Sequence, residues 1–477
     1  MQQSNLIIRN ARILSSDRDE IGDLSISHGK ITAIGAAPTT SDTEIDATGF
    51  VLTPGGVDVH AHIEQMSGMG LMNADTFETA TRSAAIGGTT SVVSFAPQSA
   101  APRLLDAVED YANRARSGAM IDYAFHNILN DMTAEKIVED LTALIAAGHR
   151  SIKIFTTYNI QLSDRDICEV LGIAKEAGAL VCVHAENDGL IGWTKDRLLA
   201  SGKSHPKHHA LSHPRLAEIE AVDRLIRFAE YFATPVMLFH ISTHEAVDAV
   251  HRARARGVPV WAETCPHYLF TTHEVLDRPG IEGAKWMCSP PQRTTADQDA
   301  LWAGLSDGTL DLVSSDHAPY RFDESGKLSN GTDVDFSKIA NGLPGLEVRM
   351  PLMFDAMLQG RISPAEFVTW SCTNPARIHG LPDKGDIQIG YDADLVLWDP
   401  TAQHIYGDDD LHDNVGYNPW VGKTITGKPE TVFLRGQPIV EKGKLTGKIG
   451  QGRWIARHTL GVSTTAVPAT EYIEATT

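Results

Sequence analysis

The sequence predicts a (β/α)8 barrel carrying a small β-sandwich domain built from both chain ends. Three observations lead there. From residue 53 onward, short apolar strands alternate with longer stretches of helical period, the pattern of parallel βαβ units. Short strands with tight turns, and no long helical period, lie on both sides of that region. Several of the barrel strands end in residue types that bind metals, at the end where barrel active sites form.

In chain order, Leu6-Ile7-Ile8 and Ala11-Arg12-Ile13-Leu14 suit strands, with turns at Gly22-Asp23 and Gly29-Lys30. Barrel strands are expected at 57–62, 89–95, 121–128, 151–156, 180–185, 235–241, 259–264 and 310–315. Helical spacing fills stretches such as Thr76 to Ile86, Ile137 to Ala147 and Ile167 to Ala177. Strands return at Asp392 to Trp398 and Thr431 to Leu434. The expected division is 1–52 with 386–450 as the β domain, 53–385 as the barrel and 451–477 as a tail. That tail either packs on a neighbouring subunit or is disordered.

The chain has 477 residues, enough for one large barrel and a smaller domain. It carries 61 acidic against 41 basic residues, a net charge of −20. Such a surface repels phosphate backbones, so nucleic acid is excluded as a partner. Five scattered cysteines, with no CxxC pair, do not form a disulfide framework. Cys182 and Cys288 read as small buried side chains. No apolar run reaches a membrane span and the first residues lack a signal-peptide pattern, so the cytoplasm is expected.

The candidate site begins at Val57-Asp58-Val59-His60-Ala61-His62. Strict alternation places Asp58, His60 and His62 inside the barrel, and Val57 and Val59 against the helices. His60 and His62 then form a pair of metal-ligating imidazoles. In Ser151-Ile152-Lys153-Ile154-Phe155-Thr156, alternation points Lys153 inward. A lysine there is costly unless paired or neutralised. Carboxylation by carbon dioxide would give a carbamate whose two oxygens can bridge two cations; pairing with a buried carboxylate is the alternative. Val181-Cys182-Val183-His184 and Val236-Met237-Leu238-Phe239-His240 each end in one histidine, and Asp316 ends the last strand. Each signal is weak alone, and their agreement across five strands carries the metal reading.

With that set in place, the chain resembles the dihydropyrimidinase and hydantoinase family of binuclear amidohydrolases. The resemblance rests on Gly55 to His62, Val183-His184-Ala185-Glu186-Asn187, Glu263-Thr264-Cys265-Pro266, Ser289-Pro290-Pro291, Ser315-Asp316-His317 and Asn341-Gly342-Leu343-Pro344-Gly345, and spans roughly residues 5 to 455. It implies that His60 and His62 hold one divalent metal, most simply zinc, and His184 and His240 a second, with carboxylated Lys153 bridging them. Asp316 completes the first site and acts as general base. Tyr158 supports the developing oxyanion, and Ser289 and Asn341 hold the amide or ureide edge of the substrate. The implied reaction is hydrolytic opening of a neutral cyclic ureide or imide by a metal-bridging hydroxide, and the implied assembly is a homotetramer.

Other features are weighed beside these. His205, His208, His209 and His213 crowd a loop near the site without serving as ligands. His317, which follows Asp316, supports the site without serving as a ligand, and His267 matches no ligand position. Met66, Met69 and Met72 line a glycine-rich pocket wall. The chain departs from the family in lacking an aromatic residue between Glu64 and Gly70, and in having Ala318 and Asn159 where cysteine and lysine are common. The rival activities are allantoinase and dihydroorotase, and a non-catalytic relative is the rival from another class. An anionic ring needs an arginine after His62, where Glu64 stands instead; Arg293 and Arg321 are the other cations expected near strand ends.

Overall fold

The computed structural model describes residues 4–35, 41–98 and 103–458. Five strands open the chain: β1 (Ser4–Leu14), β2 (Asp19–Ser27), β3 (Lys30–Gly35), β4 (Ser41–Asp46) and β5 (Val51–Pro54). Eight parallel strands follow: β6 (Gly56–Ala61), β7 (Thr89–Ala96), β8 (Asp122–Ile128), β9 (Ser151–Phe155), β10 (Leu180–His184), β11 (Val236–Leu238), β12 (Val260–Thr264) and β13 (Leu312–Val313). The chain returns through β14 (Leu395–Ile405), β15 (Thr424–Leu434), β16 (Gln437–Glu441) and β17 (Lys444–Leu445).

The eight central strands pair in sequence order from β6 to β13. The ring closes just beyond β13. There Ser315 Oγ donates to His60 O at 3.1 Å and the His62 N–H donates to His317 O at 2.7 Å. Local signals start the surrounding helices. Thr76 and Thr79 form a reciprocal capping box at Phe77–Ile86. Ser163 caps Asp164–Ala177, which buries Ile167, Val170, Leu171 and Ala174, the i, i+3, i+4, i+7 face. Each expected barrel strand is present, which establishes the (β/α)8 barrel.

The nine remaining strands form the β-sandwich domain. Its sheet order is β17-β16-β15-β14-β5-β1-β2-β3, with β4 on β1. The two chain ends meet where β14 runs antiparallel to β5, pairing Leu395 with Pro54 and Trp398 with Val51. Leu6, Ile8, Leu24, Leu395 and Phe433 fill a core separate from the barrel's.

Residues 451–458 pack on their own subunit. The Ile455 N–H donates to Tyr123 O at 2.8 Å, the Tyr123 N–H to Arg453 O at 2.9 Å, and buried Arg457 donates to Phe125 O. These bonds hold the segment on the start of β8, under the barrel floor. The rest of the expected tail lies outside the described residues.

β6 departs from the alternation read in the sequence. Val57 and Val59 join the interior cluster of Phe95, Cys182 and Phe239 instead of facing the helices. Asp58 lies 3.1 Å from Arg349 Nε, on the surrounding helix Leu346–Leu358. The cause is a pairing shift between Asp58 and Ala61 against β7. An irregularity of this kind re-aims the residues after it, which is how His60 reaches the mouth although Asp58 does not. β9 keeps strict alternation: Ile152 and Ile154 pack in the helix-side core, and Lys153 points inward as expected.

Candidate metal centre and substrate pocket

The C-terminal ends of the barrel strands bring His60, His62 and Asp316 together. His60 Nε2 lies 3.0 Å and His62 Nε2 3.7 Å from Asp316 Oδ1. The opposite ring nitrogens are engaged: His60 Nδ1 with Glu263 Oε1, and His62 Nδ1 with Gln65 Oε1 at 2.6 Å. Donation through Nδ1 leaves the Nε2 lone pairs aimed at a carboxylate, and such a meeting is repulsive unless a positive charge stands between. The electrostatics agree. Burial alone pushes the His60 imidazole down, but Asp316 and Glu263 outweigh it and hold its pKa up at about 9. His62 goes the other way, to about 3, through burial and the charge of His60.

Lys153, His184 and His240 form the other side. The His184 and His240 rings lie 4.5 Å apart, and His60 is 5.4 Å from His240. Lys153 is buried with its Nζ 4.1 Å from the Phe239 ring centre and 4.8 Å from that of Phe155, and Nζ has no hydrogen-bond partner. Burial lowers its pKa to about 8. His240 Nδ1 is also buried and without a partner. His184 Nε2 binds Glu186 Oε2 at 2.8 Å, and Glu186 Oε1 binds His213 Nδ1 at 2.9 Å, so His184 is oriented by a buried carboxylate.

Backbone strain marks the same place. Tyr158, His240 and Asp316 have φ of 69°, 42° and 47°. Non-glycine residues in this region carry a cost that the surrounding structure must hold in place, and they cluster at functional sites. For His240 the consequence is direct: Leu238 and Phe239 belong to the helix-side and interior clusters respectively, so regular alternation would have turned His240 outward.

Tyr158 stands beside His184, with ring centres 5.2 Å apart. Burial raises its pKa well above the usual value, so it remains a hydroxyl donor. Asn341 Nδ2 donates to Ser289 Oγ at 3.1 Å, joining the two loops expected to hold the substrate edge. All of these residues line one pocket of about 1030 Å³, together with His60, His62, Lys153, His184, His240 and Asp316.

Several expectations about neighbouring residues change. Glu64 does not face the pocket; its Oε1 accepts the Phe77 N–H at 2.8 Å. Arg293 is buried against His213 O and Glu218, and Arg321 is held by Asp323 and Asn414, so neither is free to meet an anionic ring. Met66 and Met69 line the pocket, whereas Met72 does not. His209 and His213 line it as well, His209 binding Cys288 O at 2.8 Å. His317 donates through Nε2 to Asp75 at 2.9 Å and accepts the Gly345 N–H through Nδ1. Cys182 and Cys288 are buried as read.

Sequence reasoning missed Gln65, Glu263 and Lys327. Lys327 is fully buried, and its Nζ donates to Ala340 O at 2.8 Å, immediately before Asn341. Met287 O, near Ser289, lies 3.4 Å from the same nitrogen. A signal existed for Glu263, a carboxylate at the end of an apolar strand; none existed for Lys327, which lies in a polar loop.

Comparison with known proteins agrees with this geometry. The amidohydrolase family model matches residues 51–439. A D-hydantoinase from Ralstonia pickettii is 40% identical over 95% of this chain and 99% of its own length, as is one from Rhizobium radiobacter. Among solved structures, the dihydropyrimidinase from Brevibacillus agri NCHU1002 superposes with a TM-score of 0.92 at 38% identity, covering 96% of this chain and 99% of its own. The chain belongs to the amidohydrolase family. Within it, its place is among the dihydropyrimidinases and hydantoinases, hydrolases of cyclic amide C–N bonds.

Proposed function

We propose that this chain opens the ring of a neutral cyclic ureide or imide, of the hydantoin or dihydropyrimidine type, at a binuclear metal centre. The observation that carries the reading is the convergence of His60, His62 and Asp316 on one point beside two buried orphans, Lys153 Nζ and His240 Nδ1. Those residues fit a metal pair. An unpartnered buried amine and imidazole are costly in a protein interior, and nitrogen and oxygen donors in this number suit zinc. His60, His62 and Asp316 would hold one ion, His184 and His240 the other, with carboxylated Lys153 shared. When bound, the pair supplies Lewis acidity toward the ring carbonyl and makes water acidic enough to attack near neutral pH.

The protein's own groups do the rest. Glu263, Gln65 and Glu186 fix the imidazole orientations through the nitrogens that face away from the centre. Asp316 takes the proton from the attacking water and delivers it to the ring nitrogen as the C–N bond breaks. The protonated Tyr158 hydroxyl donates to the carbonyl oxygen as negative charge develops there. Ser289 and Asn341 hold the amide edge. A neutral ring needs only such donors and acceptors; an anion fixed on the ring would need a cation beside it, and Arg293 and Arg321 are committed elsewhere. The same family reading carries a homotetrameric, cytoplasmic enzyme, which light scattering and cell fractionation test.

The deciding experiment compares kcat/KM for dihydrouracil, hydantoin, succinimide and dihydroorotate. Dihydroorotate should be the poorest of the four; if it is the best, the neutral-ring assignment is wrong.

A further inference from the structure

Resting on that reading, the outer pocket assigns a substrate subclass. One wall is the helix Asp188–Ala200, started by Asn187, whose side chain accepts the Leu190 N–H at 3.0 Å. Asp188, Ile191, Gly192 and Lys195 line the pocket. Their spacing of i, i+3, i+4 and i+7 places them on one helical face. At 1.5 Å per residue, Lys195 stands about 10 Å further along the helix axis than Asp188. Asp188 accepts from Thr157, next to Tyr158, so it marks the inner end of the wall. Lys195 marks the outer end.

Between them the wall is apolar and open. Ile191 is nearly buried, and a Cβ on Gly192 would meet nothing within 4 Å. Met66, Met69 and Phe336 also line the pocket. The pocket of about 1030 Å³ is far larger than a bare five- or six-membered ring, so most of it surrounds whatever the ring carries. Besides Lys153, Lys195 is the one lysine or arginine among the described lining residues, and no ion pair engages it among them. The acid on the same face, Asp188, is two turns away and already bonded.

We propose that Lys195 is a specificity residue that binds an anionic group, a carboxylate, at the far end of the ring's exocyclic substituent. The geometry separates this from an anionic ring. A carboxylate attached directly to the ring would sit at the metal-ligand end of the wall, where Asp188 rather than Lys195 stands. A carboxylate on a short alkyl chain crosses the apolar wall and meets the ammonium at its outer end. A lysine on an apolar wall can lay its stem along it and keep its charged head hydrated, which costs the free enzyme little desolvation.

The test uses two isosteric substrates, hydantoin bearing a carboxyethyl group and hydantoin bearing a carbamoylethyl group, with unsubstituted hydantoin beside them. The readout is the ratio of kcat/KM for the charged over the neutral substituent, in the metal-loaded wild type, Lys195→Met, Lys195→Arg and Lys195→Glu. The ratio should fall about two- to fivefold in Lys195→Met, fall further in Lys195→Glu and largely persist in Lys195→Arg, the scale of a partly solvated charge pair. Raising the salt should lower the wild-type ratio toward that of Lys195→Met. An unchanged ratio in Lys195→Met and Lys195→Glu, with hydantoin still hydrolysed, overturns the assignment of Lys195 and leaves the ring-hydrolase reading intact. Failure of the wild type to open any of the three rings defeats the ring-hydrolase reading instead. Calorimetric binding of the same charged and neutral pair to the same variants then decides on Lys195 without turnover: a charge preference lost in Lys195→Met supports it, and equal binding overturns it.

Discussion

The two halves of the centre differ in how well they satisfy themselves. In the half made by His60, His62 and Asp316, Glu263 and Gln65 hold the two Nδ1 atoms, and the Asp316 carboxylate meets His60 Nε2 at 3.0 Å, with His62 Nε2 further off at 3.7 Å. In the half made by Lys153, His184 and His240, only His184 is partnered, through Glu186; the Lys153 amine and His240 Nδ1 stand buried and unbonded. The first half can persist with a proton in place of a cation, since His60 titrates at about 9. The second has no such substitute. On the proposed reading Lys153 is the group whose carboxylation would complete the centre, and the difference orders the effects expected from mutation.

The largest loss should follow Asp316→Asn, which removes a ligand charge from the first half and the proton carrier at once. Loss of the base alone is worth about 10²–10⁴ in kcat, and kcat/KM should fall by at least that much in a steady-state assay. Lys153→Ala should lose most activity while the first half stays assembled. A short-chain carboxylic acid added to this variant should restore part of the rate by supplying the missing oxygens. Full activity without additive would make Lys153 merely structural.

Tyr158→Phe leaves both halves intact and removes the proposed donor to the developing oxyanion. It should cost about 10²–10³ in kcat, with KM little changed; an effect confined to KM would make Tyr158 a binding residue. Glu186→Gln and Glu263→Gln sharpen the comparison, because of the proposed ligands Glu186 holds only His184, whereas Glu263 holds the His60 ring and also accepts the His240 N–H at 3.4 Å. Each should weaken metal retention by about 10–100-fold during chelator titration, and the ion lost first should differ between them.

The smallest effect concerns Lys327, beneath the loops that carry Ser289 and Asn341. Burial holds its pKa down near 7, against 10.5 for an ordinary lysine. The unfolded chain therefore binds the extra proton between about pH 7 and 10, and this group adds stability as pH rises through that window. Lys327→Met should flatten that rise in the denaturation midpoint relative to wild type. An identical pH slope in the two proteins would show that Lys327 is charged throughout.

The fold was legible because its signals are local. Strand–helix alternation located the eight barrel strands, and β9 kept the period of two that points Lys153 inward. β6 was misread at Asp58, Val57 and Val59 because a pairing shift against β7 is set by the neighbouring strand and leaves no mark in the sequence of β6 itself. His240 was placed correctly at its strand end, but the left-handed backbone that turns it toward the site is not encoded by any glycine there. The partners of the ligands were harder still. Glu263 meets His60 across 203 residues and Asn341 meets Ser289 across 52; contacts of that kind exist only once the barrel has closed.

The central claim is that Lys153 completes a two-metal centre. Elemental analysis of wild type and Lys153→Ala, each purified without chelator, tests it most directly. The account predicts about two divalent ions per chain in the wild type, as in other two-metal hydrolytic sites, and no more than about one in the variant, held by the half that is already satisfied. Two ions in both proteins, or a value near zero in wild-type protein that is active, would contradict it.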